Sequence, residues 1–166
     1  MIKYTTENIQ SAIRRTAQQL VAQRTLNGNT VYIVLLNGGA WFASHFFDCL
    51  GDIPNIVYYA KCHSYEGQNR QVLVWDYIPD MQLNGKEVVV LDDICDSGQT
   101  ATEVVRYLQQ YADKVTVITL LKRTTTCLPD DIALHSCITD DSGDFFVGCG
   151  MDDNGRCRMQ PYISVV

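Results

Sequence analysis

Three carboxylates, Asp92, Asp93 and Asp96, lie close together and run directly into the turn Ser97-Gly98-Gln99-Thr100. Two hydroxyls, a glycine and the backbone N–H groups of a following helix form an anion site, because a helix N-terminus favours negative charge. A phosphate fits there. Asp92 and Asp93 cannot bind a phosphate themselves. They suit ribose hydroxyls, either directly or through a Mg²⁺ that neutralises them. Together these residues describe a cradle for a phosphorylated sugar.

The elements that must position this cradle follow from the hydrophobic pattern. Glu87-Val88-Val89-Val90-Leu91 is an aliphatic run suited to an inner strand of a parallel sheet, which leaves the acids at its carboxyl end. Open α/β sheets bind their ligands at that edge. Upstream, the spacing predicts an amphipathic helix over Thr6 to Arg24, a strand over Val31 to Leu36 and an apolar helix over Ala40 to Leu50, with Asn37-Gly38-Gly39 between the last two. Consecutive glycines let the backbone approach a ligand or take a conformation closed to other residues. A tight turn without a ligand has the same requirement. Ile56 to Ala60 reads as a strand, Lys61 to Arg70 as a polar excursion and Val72 to Trp75 as a short returning strand. After the phosphate turn come a helix over Ala101 to Tyr111 and a buried strand over Val115 to Leu121 that ends in Lys122-Arg123-Thr124. This alternation argues for a parallel sheet with right-handed crossovers. Thr124 to Ser142 is polar and irregular. The chain then brings aromatics, glycines, acids and arginines together from Asp144 to Arg158. Phe145 and Phe146, adjacent on a strand, must point to opposite faces, so one can be core while the other meets a ligand.

The stretch from Asp92 to Thr100, behind its aliphatic strand, resembles the phosphoribosyl diphosphate (PRPP) binding motif of type I phosphoribosyltransferases. The resemblance implies an α/β fold of three layers, a parallel sheet flanked by helices, with a small hood. It implies one domain over residues 1–166, its core roughly 27–126, and its hood roughly 127–166 plus the N-terminal residues. In the family pattern Ser97, Gly98, Gln99 and Thr100 hold the 5-phosphate, Asp92 and Asp93 the ribose hydroxyls, and Asn37, Gly38 and Gly39 the pyrophosphate, which Arg158 also contacts. Relatives often carry a basic residue at the place of Asn37, and Gln99 is a second departure. Ser64 and Tyr65 look like the Ser-Tyr pair of the family's mobile active-site lid. An acid at Asp96 resembles the hypoxanthine-guanine branch, with Lys122 as donor to the purine 6-oxygen, Phe145 stacking on the base and Phe146 offering backbone groups to its edge. Asp152 would help Asp92 and Asp93 hold Mg²⁺. The reaction implied is transfer of the phosphoribosyl group to N9 of hypoxanthine, guanine or xanthine, with Asp96 handling the base proton, in a homodimer or homotetramer.

Composition bounds the alternatives. The chain of 166 residues is 46% hydrophobic and 19% charged, which suits one globular domain. No apolar run is long enough to span a bilayer and the N-terminal residues carry no apolar signal core, so a cytoplasmic protein is expected. The seven cysteines are scattered without C-x-x-C pairs, which speaks against a zinc or disulfide framework. A net charge of −6 argues against a nucleic-acid surface. Two other classes remain open. One is a PRPP-binding regulator of the same fold that binds RNA and has weak or no transferase activity. The other is a phosphoacceptor receiver-like domain, in which the acid pair should lie near the first strand instead of past residue 90.

Overall fold

The computed structural model describes residues 1–53, 56–66 and 71–166. The chain runs β1 (Ile2–Tyr4), α1 (Thr6–Ala22), β2 (Thr30–Leu36), α2 (Gly39–Phe47), β3 (Ile56–Glu66), β4 (Gln71–Tyr77), β5 (Glu87–Cys95), α3 (Gln99–Leu108), β6 (Lys114–Arg123), β7 (Ala133–Asp140), β8 (Phe146–Val147) and β9 (Ile163–Val165). A six-stranded sheet has the order β4-β3-β2-β5-β6-β7, so β5, which carries the acids, lies well inside it. Helices cover both faces, and the architecture is the three-layer α/β fold expected from the sequence.

Local chemistry sets the element ends. Thr5 caps α1 and forms a reciprocal capping box with Asn8. The helix buries Ile9, Ala12, Ile13, Ala17 and Leu20 along one stripe. It stops at Ala22, short of the expected Arg24, which takes a left-handed φ of 57° that a helix cannot continue. Strands β2, β5 and β6 pair in parallel, and their aliphatic runs feed two apolar clusters. On one face Tyr32, Val34, Val89 and Leu91 pack with α1 and α2. On the other, Val31, Ile33, Val88 and Val90 pack with α3.

Three expectations need correction. The sheet is mixed, because β4 pairs antiparallel with β3 at the edge. Lys61 to Glu66, expected to begin a loop, continues β3 as far as Glu66. Ser64 and Tyr65 therefore lie on strand backbone paired with Leu73 and Val72, and Gly67-Gln68-Asn69-Arg70 fall outside the described residues. The stretch expected to be irregular after Thr124 contains β7, which pairs with β6, so the hood cannot begin near residue 127. Most β7 positions are only half-buried or exposed, with Cys137 and Asp140 buried. That pattern suits an edge strand and leaves little hydrophobic signal.

The hood is a second sheet of order β1-β9-β8. Phe146, Cys149, Met151 and Ile163 enter the same apolar cluster as α1 and α2, which seats the hood beside the carboxyl end of β5. No helix among the described residues is long and apolar enough to cross a membrane.

Candidate active site

The pleat of β5 sends its two adjacent acids to opposite faces of the sheet. Asp92 lines a cavity on the α3 side with Val90, Ser97, Gly98 and Thr119. Asp93, buried, packs on the other face beside Gly38 and Gly150. The Asp93 amide donates to Asp92 Oδ1 (2.9 Å) and the Ile94 amide to Asp93 Oδ1 (2.7 Å). Burial raises both carboxyls above the ordinary value. The charge of Asp93 pushes Asp92 further up, while hydrogen bonding with Asp92 and the nearby Arg158 guanidinium partly offset the rise at Asp93.

The turn after β5 owes its shape to Gly98, at a left-handed φ of 93°. A Cβ there would also run into the Cys127 carbonyl, whose own amide donates to Ser97 O (3.2 Å). Gln99 N–H donates to Ser97 Oγ (3.3 Å), and Thr102 Oγ1 donates back to Gly98 O (2.8 Å). The N-terminus of α3, whose N-cap residue is Gly98, opens onto the cavity that holds Asp92, Ser97, Thr100 and Ala101. An anion there meets backbone amides and the positive end of the helix.

A second pocket lies under the hood, lined by Asp93, Asp96, Arg123, Phe145, Phe146 and Asp152. Phe146 is 4% exposed and Phe145 58%, so one ring of the pair is core and the other is exposed, although both border this pocket. Phe146 packs edge-on to Tyr4, whereas Phe145 is exposed at the border of this pocket. Asp96 borders both this pocket and the α3 cavity. Its carboxylate is 73% exposed and meets Arg123 Nε at 3.3 Å. Arg158 pairs with Asp152 Oδ1 (2.6 Å) and donates to the Gly150 carbonyl (2.7 Å). Gly150, at φ 106°, lies so close to the Gly38 carbonyl that a Cβ would overlap it, which brings the hood directly onto the Asn37-Gly38-Gly39 turn. The Leu36–Asn37 peptide at that turn is cis.

Residues 4–154 match the family model of the phosphoribosyl transferase domain. The chain belongs to that family. It is 27% identical over 165 residues to a hypoxanthine-guanine phosphoribosyltransferase of Mycobacterium avium, covering 96% of this chain and 74% of that protein. It is 26% identical over 168 residues to a hypoxanthine-guanine-xanthine phosphoribosyltransferase of Tritrichomonas foetus, covering 99% of this chain and 90% of the relative. The crystal structure of a hypoxanthine phosphoribosyltransferase from Staphylococcus aureus superposes with a TM-score of 0.86 at 23% identity, over 100% of this chain and 92% of the other. That likeness establishes the phosphoribosyltransferase fold.

In this phosphoribosyl transferase the two cavities meet at Asp96, but not every expected residue reaches them. Lys122 pairs in register with Cys95, yet it is not among the residues lining either cavity. Among the described residues no three His, Cys, Asp or Glu side chains converge as a metal-ligand set, since Asp92 fronts the α3 face and Asp152 is engaged by Arg158. The seven cysteines are free thiols. Burial pushes those of Cys62, Cys137 and Cys149 up to about 12, which leaves them inert as nucleophiles. Two residues were not singled out from the sequence. Thr119 Oγ1 is buried beneath the α3 cavity with no hydrogen-bond partner among the described residues, and a lone threonine in an apolar strand gives no advance sign of that. Arg123 gave a sign, because it shares the sheet edge with Lys122, but only the structure shows how many groups it gathers.

Proposed function

We propose that this phosphoribosyl transferase is a purine salvage enzyme that moves the 5-phosphoribosyl group of PRPP to N9 of a 6-oxopurine, yielding the nucleoside monophosphate and pyrophosphate. The observation that carries this reading is the place of Asp96, whose carboxylate borders both the amide-lined α3 cavity and the pocket beneath Phe145. A phosphoribosyl donor and a planar base must meet at one carbon, and Asp96 stands between their two compartments.

In this reading Ser97, Gly98, Gln99 and Thr100 hold the 5-phosphate against the first turn of α3, and Asp92 and Asp93 take the ribose hydroxyls. Asn37, Gly38, Gly39 and Arg158 surround the pyrophosphate. Phe145 stacks on the base, Phe146 offers backbone groups to its edge, and Lys122 turns toward the 6-oxygen when the base binds. Asp96 accepts the hydrogen that the base gives up near N7 as N9 attacks. Ser64 and Tyr65, on β3, ride over the ligand and exclude water from the developing sugar cation.

Mg²⁺ suits the donor set, because it takes one or two protein carboxylates and completes its shell with water and substrate phosphates. Asp93 and Asp152 border one pocket and Asp92 the other, and burial gives Asp92 and Asp93 reason to favour a cation. When bound, the ion neutralises the departing diphosphate. We place the enzyme in the cytoplasm as a homodimer or homotetramer, with the apolar α2 as part of the subunit contact.

Pyrophosphate release from PRPP and Mg²⁺, measured across a panel of bases, tests the reading. Turnover is expected with at least one of hypoxanthine, guanine and xanthine, and none with adenine or orotate. Tight PRPP binding without turnover on any base would instead support a regulator.

A further inference from the structure

Arg123 is the last residue of β6, and its side chain is only 12% exposed. Its guanidinium is surrounded. Nε donates to Asp96 Oδ1 at 3.3 Å, and Nη1 donates to the Ser142 carbonyl at 2.9 Å and lies 3.6 Å from Asp140 Oδ1. Nη2 donates to the Asp144 carbonyl. The central carbon sits 4.4 Å above the ring of Phe146. Asp140 is itself anchored, accepting from Tyr4 Oη (2.6 Å) and from Ser142 N (2.8 Å).

Asp144 and Phe146 flank Phe145 in sequence, and Arg123 grips both. The ring of Phe145 is thereby aimed from a fixed backbone although it stands in solvent. The same guanidinium touches Asp96, an acid that lines the same pocket as Phe145. We propose that Arg123 is a positioning residue that sets the separation between the Asp96 carboxylate and the Phe145 ring, and so the seat of the purine between them. The inference rests on the transferase reading above. A planar fork with donors on three nitrogens can serve a carboxylate, two carbonyls and a ring face at once. A lysine ammonium cannot, since it is a single point of charge. A purely architectural Arg123 would hold the hood and leave base affinity no more sensitive than PRPP affinity.

The test is steady-state kinetics on the full chain, as wild type, Arg123→Lys and Arg123→Met, with base and PRPP varied separately and melting temperature recorded. Wild-type inactivity on every base would sink the transferase reading and this inference with it. Given wild-type activity, Arg123→Lys should raise KM for the base about ten-fold and leave KM for PRPP within about two-fold. An unchanged base KM overturns the proposal, as does a parallel rise in both KM values with a fall in melting temperature. Phe145→Ala, made alone and together with Arg123→Lys, gives an independent check. If Arg123 acts through Phe145, the two effects on base KM are non-additive, and strict additivity overturns the role. Should Arg123→Met fail to fold, the Lys variant and this cycle carry the test.

Discussion

The carboxylate of Asp93 packs on the Cα of Gly38 so closely that a methyl group at position 38 would overlap it. The glycine of the Asn37-Gly38-Gly39 turn is therefore dictated first by β5, and any ligand comes second. Gly38→Ala should destabilise the protein by about 1–3 kcal/mol, as overpacking does elsewhere, in denaturant titration. Asp93→Ala removes the obstructing carboxylate, so the double variant should be more stable than the sum of the single effects predicts. Additive losses would show that Gly38 is constrained by something other than Asp93.

Asp96 is exposed and its carboxylate, among the described residues, makes one ion pair, with Arg123, so its replacement should leave the fold intact. Asp96→Asn keeps the shape and removes the proposed proton acceptor. Removing a general base costs roughly 10²–10⁴-fold in kcat. The Kd for PRPP, measured by calorimetry, should change little. An unaltered kcat would exclude the proton role.

The central motif was legible because its parts are contiguous: a strand, two acids, a third acid and a turn occupy Glu87 to Thr100, where periodicity and turn chemistry are read directly. Phe145 and Phe146 were legible only in part: one is buried and the other exposed as expected, but Phe145 lies just before β8 and not on it. What was hidden depends on neighbours distant in sequence. β7 is an edge strand whose apolar residues come in adjacent pairs, Ala133-Leu134 and Cys137-Ile138, instead of alternating, so its pairing with β6 is visible only in three dimensions. The separation of Asp92 from Asp93 follows from the pleat once β5 is seen to run through to Cys95. The role of Arg123 rests on partners as far away as Asp144, which no local pattern could supply.

Thr119 offers a case in which stability and function should part. Its hydroxyl is buried beside the cavity that Asp92 lines, without a partner among the described residues, and an unsatisfied buried hydroxyl costs about 1–3 kcal/mol. Thr119→Val should raise the melting temperature of the ligand-free protein. If a ribose hydroxyl or its bridging water completes the Thr119 bond, KM for PRPP should rise at the same time. A variant that is less stable than wild type would mean that the hydroxyl has a partner after all.

Asp140 should make the hood acid-sensitive. Burial alone would raise its carboxyl, but the Ser142 hydroxyl and amide, the Tyr4 hydroxyl and the charge of Lys3 together hold it below the ordinary value. A carboxyl depressed in the folded state contributes stability that is present above the unfolded value of about 3.9 and lost as pH falls through the lower folded value. Asp140→Asn abolishes the titration and weakens charge-assisted hydrogen bonds worth about 1.5–3 kcal/mol. Unfolding free energies of wild type and variant should therefore differ most at pH 5–7 and converge as pH drops below about 3.9. Asp92 and Asp93 work in the opposite sense, since their raised carboxyls favour the folded state as they take up protons. The comparison must therefore be made as a difference between the two proteins, in which those contributions cancel. A gap that stays constant across the acid range would show that Asp140 holds the hood by packing and not by charge.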